Sequence, residues 1–84
     1  MYLNVGEDVL VREEDIIGIF DLDTSTVSGK TREFLAHAQT EGRVLNLSED
    51  LPKSFVLCRS IDTDLIYICQ PSPPTLIRRM RQIG

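Results

Sequence analysis

Two stretches of this chain are apolar on both sides of the strand they predict. In Lys53–Arg59, Phe55 and Leu57 point one way while Val56 and Cys58 point the other. In Asp64–Gln70, Leu65, Tyr67 and Cys69 oppose Ile66 and Ile68. Between them lies Ser60-Ile61-Asp62-Thr63, so the two runs read as an antiparallel hairpin. Ile16–Leu22 is a third such strand, with Ile16, Phe20 and Leu22 set against Ile17 and Ile19. Gly18 inside it predicts a bulge or a close backbone approach. Strands apolar on both faces belong between two layers. A short chain has little material for two covers, and a second copy of itself is the expected source of one.

The remaining pattern fills in around this hairpin. Tyr2–Val5 and Asp8–Val11 predict two short strands around Gly6-Glu7, followed by a polar turn over Arg12–Asp15. Asp23–Val27 reads as a loop. Ser28 then fits an N-cap for a helix that runs to Thr40, with Gly42 just past its end. Thr31, Phe34, Leu35 and Ala38 form one stripe on that helix, and Lys30, Arg32, Glu33, His37 and Gln39 form its wet side. Val44–Leu47 is a short strand and Ser48–Pro52 a turn. After Pro71, Ser72 with Pro73-Pro74 is a strong helix start. Leu76, Ile77, Met80 and Ile83 form the stripe expected to be buried, and Arg78, Arg79 and Arg81 the remaining surface. The fold class is α+β: a small, mostly antiparallel sheet of five to six short strands, one internal helix and one C-terminal helix, assembling through sheet faces.

Composition narrows the class. The 84 residues are 42% apolar and 26% charged, as expected for one small globular domain spanning residues 1–84. A chain of this size buries only ~60–65% of its unfolded surface. No apolar run approaches the length of a membrane span. The opening MYLNVGEDVLV lacks the basic region of a signal peptide, so the cytoplasm is expected. Arg59 facing Asp64 puts Cys58 opposite Leu65 and Cys69 near Ser54. The sulfurs are then roughly 13 Å apart, beyond disulfide reach, and both read as small buried hydrophobes. The net charge of −4 is uneven: residues 1–50 carry four Lys/Arg against eleven Asp/Glu, residues 51–84 five against two. Overall acidity argues against non-specific nucleic-acid binding, yet segregated charge is compatible with one basic surface.

Candidate chemistry is sparse. Gly29-Lys30-Thr31 resembles the end of a phosphate-binding loop, but Thr24 stands where that loop needs its first glycine. Lys30 and Arg32 in a helix's first turn oppose its dipole, which points to a nearby anion or to two solvated side chains. Asp21 with Asp23, and Asp62 with Asp64, have the form of a cation pair or of ordinary turn chemistry. His37 is the one histidine and lies on a wet face, so no catalytic set can be assembled and no enzyme is expected. Arg78-Arg79-x-Arg81 serves either the helix C-terminus or an anionic partner.

The order and spacing of MYLNVGEDVLV, DIIGIFD (Asp15–Asp21), REFL (Arg32–Leu35), PKSFV (Pro52–Val56) and TLIRR (Thr75–Arg79) resemble the RemA/RemB family of bacterial extracellular-matrix regulators, closer to the RemB branch. The resemblance implies a small α/β subunit that assembles into a ring-like homo-oligomer and binds DNA as a transcriptional activator of extracellular-matrix (biofilm) genes, with no cofactor; no membrane and no small-molecule substrate are expected as partners. For the RemA branch it implies that an arginine-rich turn just before the central hairpin contributes to DNA binding. Here that turn is the acidic Glu49-Asp50-Leu51-Pro52-Lys53. The expected contacts are therefore Lys53, Arg78, Arg79 and Arg81, with Lys30 and Arg32 secondary. The other reading is a non-catalytic oligomeric scaffold binding a protein partner in the same circuit.

Overall fold

In a computed structural model, described over residues 1–25 and 27–81, six strands and three helices follow one another. They are β1 (Tyr2–Gly6), β2 (Val9–Arg12), β3 (Ile16–Asp21), α1 (Leu22–Ser25), α2 (Gly29–Thr40), β4 (Val44–Asn46), β5 (Ser54–Arg59), β6 (Asp64–Cys69) and α3 (Pro73–Arg81). A 3₁₀ turn over Glu13–Asp15 joins β2 to β3. The α+β class stands, but the strands divide into two sheets. β3, β5, β6 and β4 lie side by side in that order, with β4 parallel to β6 and the other pairs antiparallel. The β1–β2 hairpin is a separate two-stranded ribbon.

The central hairpin has the expected register: Arg59 faces Asp64, Cys58 faces Leu65 and Ser54 faces Cys69. Its two apolar faces are covered within this one chain. Leu3, Val5 and Val11 of the ribbon and Leu76 of α3 pack on Val56, Cys58 and Cys69. On the opposite side Ala38 of α2 packs with Phe55 and Ile66, flanked by Leu22, Leu35 and Val44. The inference that a second copy must supply one whole layer is thereby corrected, because the ribbon leaves the sheet and becomes a cover. The α2 cover is thin. Ala38 is its one buried residue, and Phe34 at the edge of the stripe stays 41% exposed.

The ribbon owes its turn to an unusual pair. Glu7 and Asp8 both have positive φ, 48° and 63°, the left-handed conformation that two-residue hairpin turns require. Asn4 Oδ1 accepts the Gly6 amide at 2.8 Å and closes the corner. In β3 the predicted bulge is present between Ile16 and Gly18. It changes the faces assigned by simple alternation: Ile16 pairs with Cys58 on the ribbon side, and Phe20 pairs with Phe55 on the α2 side. A Cβ at Gly18 would sit 2.6 Å from Cε2 and Cζ of Phe20, whose ring lies across the glycine and stacks on Phe55 with centroids 4.9 Å apart.

Helix ends explain several polar residues. Leu22 opens α1 instead of ending β3, and Asp21 Oδ1 accepts the Thr24 amide at 3.1 Å, so part of the expected loop is a capped helical turn. Ser28 stands at the N-cap of α2, but its side chain makes no cap bond. The other end of α2 is a Schellman motif: Arg43 N donates to Ala38 O at 2.9 Å and Gly42 N to Gln39 O at 3.0 Å, with Gly42 at φ +75°. Arg43 then ties α2 to the sheet, pairing with Glu41 at 2.7 Å and donating to the Asp64 carbonyl at 3.3 Å. At the start of α3 the Ser72 and Thr75 hydroxyls lie 3.1 Å apart. The buried Ser54 hydroxyl donates to the Pro71 carbonyl at 2.7 Å and fixes the chain as it leaves β6 for α3.

Candidate nucleic-acid interface

Lys53 precedes β5 and is exposed, while its backbone is held at both ends by Cys69 and Leu22. Two residues on, Phe55 points to the α2 side, so Lys53 shares that side. Lys30, in the first turn of α2, lines a cleft with Phe20 and Phe55. The ammonium groups of Lys30 and Lys53 make no ion pair among the described residues. Arg32 is folded back, with Nη1 donating to the Val27 carbonyl at 3.0 Å. These three cations belong to the α2 side of the sheet.

Arg78 and Arg79 lie on the other side, because α3 packs on the face that carries Val56. Arg78 is exposed, with Nη2 donating to Thr75 Oγ1 at 3.3 Å. Arg79 is half-buried, and its Nη1 donates to the Asn4 carbonyl at 3.0 Å, clamping α3 to the ribbon. It does not project freely as the helical stripe predicts. Ile77, expected in the core, is 41% exposed, and Leu76 and Met80 carry the packing. Ile83 and the side chain of Arg81 lie outside the described residues. One subunit thus divides the candidate contacts between two faces and does not gather them into one patch.

Electrostatics separate them further. Arg79 lines an open groove with Glu7, Asp8, Glu49 and Asp50. The acidic loop is held there by Gln70, which accepts the Asp50 amide at 3.2 Å and donates to the Leu51 carbonyl at 3.2 Å. One guanidinium among four carboxylates is a poor phosphate contact. The sequence could not show this groove, because residues 7–8, 49–50 and 79 meet only in three dimensions. At the far end, Arg12 pairs with Glu14 at 2.7 Å and holds that carboxyl down to about 2.

The cysteines are free and buried. Burial pushes the Cys58 thiol up to about 12, with Cys69 and Asp15 adding to it. Cys69 is pushed up to about 11 by burial, opposed by its contact with Ser54 and by the charge of Arg79. Neither is a nucleophile at neutral pH. Asp21 serves as a helix cap, and His37 lies on the surface 3.5 Å from Glu41. Among the described residues no three His, Cys, Asp or Glu side chains gather as metal ligands, and no helix is long and apolar enough to cross a membrane.

The RemA-like family, described as extracellular matrix regulatory protein A-like, matches residues 2–80. No curated protein matches the chain. The family match spans both sheets and nearly all of α3, and includes every segment on which the resemblance rests apart from Met1. The chain therefore belongs to the RemA-like family of extracellular matrix regulatory proteins.

Proposed function

We propose that this protein regulates extracellular-matrix genes in the cytoplasm by binding DNA as a homo-oligomer, and that it stands nearer the RemB branch of its family. The reading is non-catalytic and requires no cofactor. The observation that carries it is Lys53, exposed and outside every ion pair among the described residues, in a chain whose family is regulatory. Arg78 on α3 adds a further exposed cation. A few charges on an acidic subunit give little affinity alone. Repeated around an assembly they act together, because linked sites raise apparent affinity without new contacts. DNA binding then depends on assembly and falls with salt, at a log–log slope of about −0.9 per phosphate neutralised.

Light scattering with a DNA gel shift at two salt concentrations tests this. Replacing Lys53 and Arg78 by Ala is expected to weaken binding and flatten the salt slope while the oligomer stays intact. Equal binding by the variant at every salt concentration refutes these contacts. The acidic groove around Arg79 favours a second reading, a scaffold that takes a basic protein partner. An assembled parent with no DNA binding at low salt selects that reading.

A further inference from the structure

Two apolar features stand out among the described residues because they match each other in shape and charge. The first is the cleft on the α2 side of β3 and β5, walled by Phe20, Phe34, Phe55 and Leu57 with a volume of about 230 Å³. Phe20 and Phe34 remain 39% and 41% exposed there. Lys30 is the one charged residue among those lining it. The volume is below the roughly 300–1,000 Å³ of small-molecule sites and suits a side chain from another polypeptide. The second feature is Ile61, 98% exposed at the tip of the β5–β6 hairpin and followed by Asp62. The Ser60 amide donates to the Thr63 carbonyl at 2.9 Å, so this tip is a closed turn that holds the isoleucine outward.

The tip cannot reach its own cleft. β5 extends from Phe55 and Leu57 to Arg59, and Ile61 lies four residues beyond Leu57, up to roughly 13 Å along the chain. Shape and charge nevertheless match: an apolar knob beside a carboxylate, and an apolar hole beside an ammonium group. We propose that the Ile61 tip of one copy seats in the Phe20/Phe34/Phe55/Leu57 cleft of the next, with Asp62 set against Lys30. This rests on the self-association proposed above and specifies its contact. Knob and hole are different surfaces, so the contact is head-to-tail. Each subunit offers one of each, and repetition closes a ring or extends a filament. Seating also covers Phe20 and Phe34, the thinnest part of the α2 layer.

The test uses the full chain at micromolar concentration with size-exclusion chromatography and light scattering. Ile61→Asp spoils the knob, and Phe34→Asp spoils the hole. Each is expected to weaken assembly about 10- to 100-fold, the range for losing one buried apolar side chain. Mixing the two variants is the decisive arm: each still has one good surface, so together they form a dimer that stops there. Lys30→Asp with Asp62→Lys is expected to restore assembly that either change alone weakens, and keeps the test alive if Phe34→Asp does not fold. A parent that is monomeric throughout refutes self-association itself. A parent that assembles while Ile61→Asp assembles equally well overturns this contact and leaves self-association standing. Weakened single variants with no dimer on mixing also overturn it.

Discussion

Gly18→Ala sets two effects of opposite sign against each other. Glycine in a strand costs chain entropy, and alanine at a position it tolerates stabilises by about 0.4–1 kcal/mol through the unfolded state. Here the new Cβ would lie 2.6 Å from two atoms of the Phe20 ring. The ring must swing away and leave its stack on Phe55. That stack is worth about 0.5–1.5 kcal/mol. Phe20 is 39% exposed, so roughly three-fifths of its burial is also at stake. With about 1.5–3 kcal/mol for a fully buried side chain, that adds about 1–2 kcal/mol. The loss exceeds the gain, and Gly18→Ala is expected to destabilise by about 1–2 kcal/mol in urea unfolding. In a Phe20→Ala background the clash is gone, and the same substitution is expected to become neutral or stabilising. A parent-background Gly18→Ala that stabilises, or an equal cost in both backgrounds, would falsify the argument that Phe20 is the reason for the glycine.

The thiols predict alkaline instability. Both are held above their ordinary value of 9.0 by the fold, so their contribution is complete below pH 9 and is lost as pH rises toward about 11 for Cys69 and about 12 for Cys58. Above pH 9 the melting curve is expected to fall by up to about 1.4 kcal/mol per pH unit per thiol, and more shallowly in the Cys58→Ala/Cys69→Ala variant. A thiol reagent at neutral pH is expected to label the native protein slowly, and fast labelling contradicts the packing. Ser54→Ala leaves the Pro71 carbonyl without its donor and is expected to cost about 1–3 kcal/mol, read by denaturant titration. Arg79→Ala is expected to lower stability by about 1 kcal/mol through loss of the Asn4 contact, while exposed Arg78→Ala leaves it unchanged. Equal effects at the two sites would show that Arg79 does not clamp α3.

Local rules made much of this protein legible from residues alone. The Lys53–Gln70 hairpin and its register follow from two apolar runs around a four-residue turn. The C-terminal end of α2 follows from Gly42, and the start of α3 from Ser72-Pro73-Pro74. In each case the signal lies within a few residues, and backbone sterics or capping reads it directly. The two-faced strands correctly required a layer on each side. What they could not determine was the source of those layers. The β1–β2 segment has the same local pattern whether it extends the sheet or lies across it, and long-range packing on Val56 and Cys69 decided for the cover. A one-residue bulge at Gly18 moved Phe20 to the side opposite Ile16, a change that period-two alternation cannot register. Arg78 and Arg79 look equivalent along the helix, yet Arg79 reaches the Asn4 carbonyl while Arg78 stays exposed. Lys30 and Arg32 of α2 were therefore separated from Arg78 and Arg79 of α3 by the thickness of a sheet, because the face that a helix buries is set by the surface it meets.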